Sequence, residues 1–105
     1  MIEVKISYKQ GCVLYYVMYC EEGVFEGGVD NKFRLFVAPD CPYKELMLRA
    51  LINKCMDTPF QHFTTDDVWG MKLERFGFHV ETEDGKEVYA AAAQDLKLPG
   101  DCGDH

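Results

Sequence analysis

The chain has 105 residues, of which 48% are hydrophobic, 13% aromatic and 28% charged, and its formal net charge is −7. That length supports one hydrophobic core but not two, and the composition is globular, neither disordered nor collagen-like. Lys and Arg form no cluster of the kind nucleic acid requires, and the longest apolar run, Cys12 to Cys20, falls well short of the roughly 18 residues of a membrane helix.

Ile2, Val4, Ile6 and Tyr8 alternate with Glu3, Lys5, Ser7 and Lys9, which predicts a strand with one buried face. This pattern begins at once, with no basic and apolar leader before it, so the expected address is the cytoplasm. Gln10-Gly11 turns the chain. Every position from Cys12 to Cys20 is then apolar, and the stretch is rich in Val and Tyr, as suits a central strand covered on both faces. Three tyrosines lie in it (Tyr15, Tyr16 and Tyr19), and buried hydroxyls need partners, so one side is expected to face a polar cleft or an interface. Val24 to Val29 reads as a shorter strand weakened by Gly27-Gly28. After a turn at Asp30-Asn31, Phe33 to Val37 reads as another buried strand.

Asp40-Cys41-Pro42 predicts a helix start, with Asp40 or Cys41 as the cap and proline in the first turn. The helix should run to about Asp57. Its wet ridge is Glu45, Arg49, Asn53 and Asp57, and Tyr43, Met47, Ala50, Leu51 and Cys55 lie opposite, widened by Leu48 and Ile52. Phe60 to Phe63 is a brief strand candidate. Thr64 is expected to cap a second helix, with Asp67 at the capping-box position and Phe63 and Val68 as a hydrophobic staple. Trp69, Met71 and Phe76 would then be its core residues. Gly77 should end this helix, with Leu73 touching Phe78. Phe78 to Thr82 and Glu87 to Ala91 flank Asp84-Gly85, a hairpin signal that sets Val80 opposite Tyr89 and Phe78 opposite Ala91. After Ala92 one helical turn is expected, then a polar tail. The fold class is thus α+β, a mostly antiparallel mixed sheet with two helices in the order β-β-(β)-β-α-(β)-α-β-β. Residues 1–98 form one domain and 99–105 its tail.

From Cys12 onward this order resembles the C-terminal two-thirds of the GNAT superfamily of N-acetyltransferases. Phe33-Arg34-Leu35-Phe36-Val37-Ala38-Pro39-Asp40 is similar to that family's strand ending in Val-x-Pro before its cofactor-binding helix. Leu73-Glu74-Arg75-Phe76-Gly77-Phe78 is similar to its helix end Tyr-Glu-Lys-Leu-Gly-Phe. The resemblance implies a V-shaped gap between the strand before the first helix and the strand that follows it. It also implies an acyl-CoA cofactor, whose pyrophosphate would sit on helix N–H groups reached through a glycine-bearing loop. On this chain Val37, Ala38, Tyr43 and Lys44 would hold acetyl-CoA if it binds.

Cys41-Pro42-Tyr43-Lys44-Glu45-Leu46-Met47 departs from that pattern. It has no glycine, Pro42 removes a donor, and Glu45 adds like charge that Lys44 only partly offsets. Leu73 stands where the family often has a tyrosine general acid, and Gln10-Gly11 leaves no room for the two helices that normally precede the central strands.

No residue is therefore assigned a catalytic role. Cys41, near a helix start, is read as a cap or core residue, not as a reactive thiol. The five cysteines are expected to be reduced. Cys102-x-x-His105 is a single tight pair, too little for a structural zinc site, and no metal is expected. His62 and His79 show no partner in the sequence. Asp66-Asp67 suits a helix's first turn and Glu81-Glu83-Asp84 an exposed turn, so neither is read as an acid–base pair. The leading expectation is a non-catalytic binding or interaction module. A protein partner or a homodimer through a sheet edge is expected, with no nucleic acid, membrane or resident cofactor. The alternatives are an acyl-CoA-binding protein or acetyltransferase with an atypical cofactor loop, and a small acidic inhibitor of a basic site. The inhibitor reading rests on residues 61–105, with 10 acids against 4 bases.

Overall fold

Turn chemistry places the first four strands. Gly11 adopts φ 90° and Gly23 φ 141°, reversing the chain between β1 (Glu3–Ile6), β2 (Cys12–Cys20) and β3 (Gly23–Asp30). Asp30 builds the next turn, its carboxylate accepting from the N–H groups of Lys32 at 2.8 Å and Arg34 at 3.1 Å. Phe33 takes a left-handed φ of 64° there, so β4 begins one residue later than predicted, at Arg34–Val37. Its ring lies 4.9 Å from that of Phe60. These four strands pair antiparallel in chain order. The computed structural model describes residues 1–99.

Gly27-Gly28 does not interrupt β3, because both glycines admit close neighbours. A Cβ on Gly27 would lie 2.6 Å from the Met47 side chain, and one on Gly28 2.5 Å from the Leu14 carbonyl, beside the register shift in β2. Met47 belongs to α1 (Lys44–Cys55), which therefore packs directly onto the sheet. Met47, Leu48, Leu51, Ile52 and Cys55 are fully buried, as the helical periodicity predicts. The helix starts later than expected. Tyr43 is its N-cap residue and makes no side-chain cap bond, so neither Asp40 nor Cys41 caps it.

The second predicted helix does not form, and the structure has a single α-helix among the described residues. Thr64 and Thr65 belong instead to β5 (His62–Thr65), which lies parallel to β4. Sheet pairing claims the backbone groups that a helix would need, and Gly70 at φ 76° interrupts the segment beyond. Val68 is 43% exposed and forms no staple. Only the end of the element survives, as a 3-10 turn at Leu73–Phe76 closed by Gly77 at φ 100°, with Phe78 N–H donating to the Leu73 carbonyl at 3.3 Å. Leu73, Phe76 and Trp69 are core residues without the helix.

The hairpin matches its signal. β6 (His79–Glu83) and β7 (Lys86–Ala92) pair with Val80 opposite Tyr89, and Asp84 and Gly85 take φ 53° and 79°. Phe78 lies just outside β6, yet is buried. A 3-10 turn, Ala93–Asp95, follows. The seven strands make one mixed sheet in the order β1-β2-β3-β4-β5-β7-β6. Of the expected tail, only Pro99 is described; the rest lies outside the described residues. No described helix is long and apolar enough to cross a membrane.

α1 covers one face of this sheet only. The expectation that β2 is covered on both faces is therefore wrong: Leu14 and Met18 face α1 and are buried, while Tyr19 is 45% exposed. β1 departs in the same way. Its apolar residues Val4 and Ile6 lie on the α1 side, where Val4 is half-buried against the core but Ile6 is 60% exposed.

A Cβ at Gly77 would run into the backbone carbonyl of Asp95, at a φ that L residues resist. Gly77→Ala should lower stability in urea by about 2–4 kcal/mol, whereas Gly11→Ala, with similar φ but open space around it, should cost about 1–2 kcal/mol.

Candidate functional site

β4 and β5 form the parallel pair of the sheet, and α1 lies between them in the chain. The two parallel strands pair only at Arg34–Thr64 and Leu35–Thr65. Beyond that point β4 stays with β3, through Val37 opposite Gly27 and Ala38 N–H donating to the Glu26 carbonyl at 2.9 Å.

A buried hydroxyl lies where the strands part. Thr65 Oγ1 donates to the Leu35 carbonyl at 3.0 Å, and Trp69 Nε1–H donates to it at 2.8 Å. Thr65 is fully buried and Trp69 is 2% exposed. The indole is thereby tied to the last residue of β5, and the chain after β5 is folded back to deliver it. In the sequence Thr65 carries no assigned role, its neighbour Thr64 being the expected cap, and Trp69 carries only a core position. A Thr four residues before a Trp carries no signal unless β5 is known to be a strand.

The positions singled out for a cofactor do not converge on one opening. Val37 is buried in the core. The Ala38 N–H is bound to β3. Tyr43 and Lys44 do line a hollow of about 410 Å³, with Pro42, Glu45, Leu46 and Arg49. The first turn of α1 adjoins it, where the N–H groups of Lys44, Glu45 and Leu46 have no intrahelical acceptor. Glu45 is held by Arg49 at 3.1 Å, which reduces the like charge expected there. The Tyr43 hydroxyl donates to Glu22 Oε2 at 3.1 Å. A backbone N–H and this hydroxyl hold the Glu22 carboxyl below the usual range.

Other candidates have structural roles. Cys41 is 5% exposed, with its sulfur 3.9 Å from Met18 Sδ, and it precedes the first residue of α1 by three positions. Burial pushes its thiol pKa up, opposite to what a reactive cysteine needs. Burial pushes Cys55 up to about 12. His79 does have a partner, Glu81 Oε2 at 2.6 Å, because residues two apart in a strand share a face. His62 is exposed. Asp66 and Glu83 both receive Arg34, at 3.0 and 2.9 Å. Among the described residues no group of three or more His, Cys, Asp or Glu could hold a metal ion, and Cys102 and His105 lie outside them.

On the face away from α1 the register brings Tyr15, Val17 and Tyr19 of β2 beside Val24 of β3 and Phe36 of β4. Tyr15 and Lys9 both donate to Glu26 Oε1 at 3.0 Å, which holds the Glu26 carboxyl below its usual range, the lysine being the larger cause. At the far end the sheet curls. Arg34 reaches Glu83 although β6 lies three strands from β4, about 14 Å away in a flat sheet. Val88 and Ala90, also on this face, are buried by the curl.

No family model matches the chain, and neither a curated protein nor a solved structure does.

Thr65→Val should leave the Trp69 N–H and the Leu35 carbonyl buried without partners and lower stability in urea by about 2–4 kcal/mol, while Thr65→Ser, which keeps the hydroxyl, should cost about 1 kcal/mol. Alkylation of the native protein at pH 8, followed by peptide mapping, should modify the half-buried Cys20 well before Cys41 and Cys55, which should react only on unfolding.

Proposed function

We propose that this chain is a non-catalytic binding module on a shortened GNAT-like scaffold, and that it binds a protein partner through the sheet face that α1 leaves bare. The observation that carries this reading is that face. Tyr15, Val17, Tyr19, Val24 and Phe36 form an apolar and aromatic patch, with Lys5 along its β1 side and, within it opposite Val17, Glu26 bound to Lys9. Exposed aromatic side chains around a few polar groups suit a protein interface. Tyr19 and Val24 are exposed at 45% and 63%.

The GNAT-like part of the reading draws on the strand order, in which one parallel pair parts beside the helix that follows its first strand. The non-catalytic part draws on the bonds already made where the strands part: the Thr65 hydroxyl bridges the Leu35 carbonyl and the Trp69 indole, and Ala38 N–H is taken by β3. A second reading, acyl-CoA binding, is favoured by the hollow at the start of α1, with Lys44 beside free helix N–H groups.

Thermal unfolding with millimolar acetyl-CoA separates the two. The binding-module reading expects no shift, whereas a ligand at 100 times its dissociation constant would add about 2.7 kcal/mol and support the second reading. A photo-cross-linking side chain in place of Val24 should capture a defined protein in cells, and the same group in place of Met56, at the end of α1, should not. Identical products from both positions would end the proposal.

A further inference from the structure

We propose that β1 is the seam of a two-fold symmetric homodimer, in which the β1 strands of two copies pair antiparallel and join their sheets. This does not depend on what the open sheet face binds.

β1 is an edge strand, and among the described residues nothing pairs with its outer side. Ser7 N–H donates to the Tyr15 carbonyl at 2.8 Å, in step with the β1–β2 register. Glu3, Lys5 and Ser7 therefore direct their backbone groups to β2, and Ile2, Val4 and Ile6 present theirs to the open edge. A second copy must bond to these three residues, which restricts the registers available.

One register satisfies every side chain. With the two-fold axis at Val4, the bonded pairs are Val4 with Val4 and Ile2 with Ile6 of the other copy. Between them Glu3 faces Lys5 of the other copy, twice, at the closer non-bonded spacing where side chains interact most strongly. A shift of two residues one way sets Glu3 against Glu3, and the other way Lys5 against Lys5. Like charges directly opposite are destabilising, so the charge pattern disfavours both neighbouring alignments. Within one copy Glu3 and Lys5 already share a face, 3.8 Å apart, so turning to a partner needs only side-chain rotation.

The same pairing accounts for apolar surface that the single chain leaves bare. Ile2 and Ile6 are 36% and 60% exposed, although their alternation is that of a strand with a buried face. In the dimer each Ile6 lies opposite an Ile2, on the α1 side of the joined sheet. The opposite edge differs: β6 carries Glu81 and Glu83, a charge pattern that discourages strand addition.

Charge reversal tests the register directly, read by sedimentation velocity in the tens of micromolar, with circular dichroism to verify the fold. The unmodified chain should be a dimer. Glu3→Lys and Lys5→Glu should each weaken self-association by roughly tenfold or more, since each replaces two attractive pairs with two repulsive ones. An equimolar mixture of these two variants should dimerise again, because each then meets its complement, and the double variant E3K/K5E should behave like the unmodified chain. A monomeric unmodified chain, single variants that associate as well as it does, or a mixture that stays monomeric would each overturn the proposal.

Discussion

The Thr65 hydroxyl is the constraint on which this architecture turns. It is the buried polar side chain of the described core, and it holds the Leu35 carbonyl and the Trp69 indole at once. Those two bonds keep β5 beside β4 where the strands begin to part. They also bring back the chain after β5, so that Trp69, Leu73 and Phe76 join the core from irregular structure. A buried hydroxyl with both a donor and an acceptor partner is stabilising, and a half-satisfied one is costly, so the segment has little freedom to become helix.

With that segment extended, only α1 among the described elements remains as an α-helix to cover the strands. It packs closely because Gly27 lets Met47 approach, and it buries a full apolar stripe on one face of the sheet. The other face is protected at the β6–β7 end by curl, where Arg34 bridges Asp66 and Glu83. At the β1–β3 end neither helix nor curl protects it. The exposed aromatic surface thus follows from one described helix on a wide sheet, and the unpaired edge from the sheet's being open.

Much of this was legible locally. The helical stripe of α1, the Asp84-Gly85 hairpin with Val80 against Tyr89, and the turn ending at Gly77 follow from neighbours within a few residues. The second helix was misread because Thr64, Asp67 and Val68 carry sound capping chemistry. That chemistry lost to pairing with Arg34, Leu35 and residues 89–92, far away in the chain. The bonding of the Ala38 backbone was illegible for a similar reason. Nothing near Ala38 in sequence announces that its N–H is bound to Glu26.

By itself the sequence determined the fold class, most strand positions, the helix α1 and the absence of a glycine-bearing turn before it. Periodicity and turn propensity are properties of adjacent residues, so a linear reading captures them. Tertiary structure alone decided that Thr65 bonds to both Leu35 and Trp69, that Cys41 is buried against Met18, and that β2 is covered on one side only. Each of these depends on which distant strand or helix occupies the neighbouring space, and an apolar residue reads the same whether its neighbour is a helix or water.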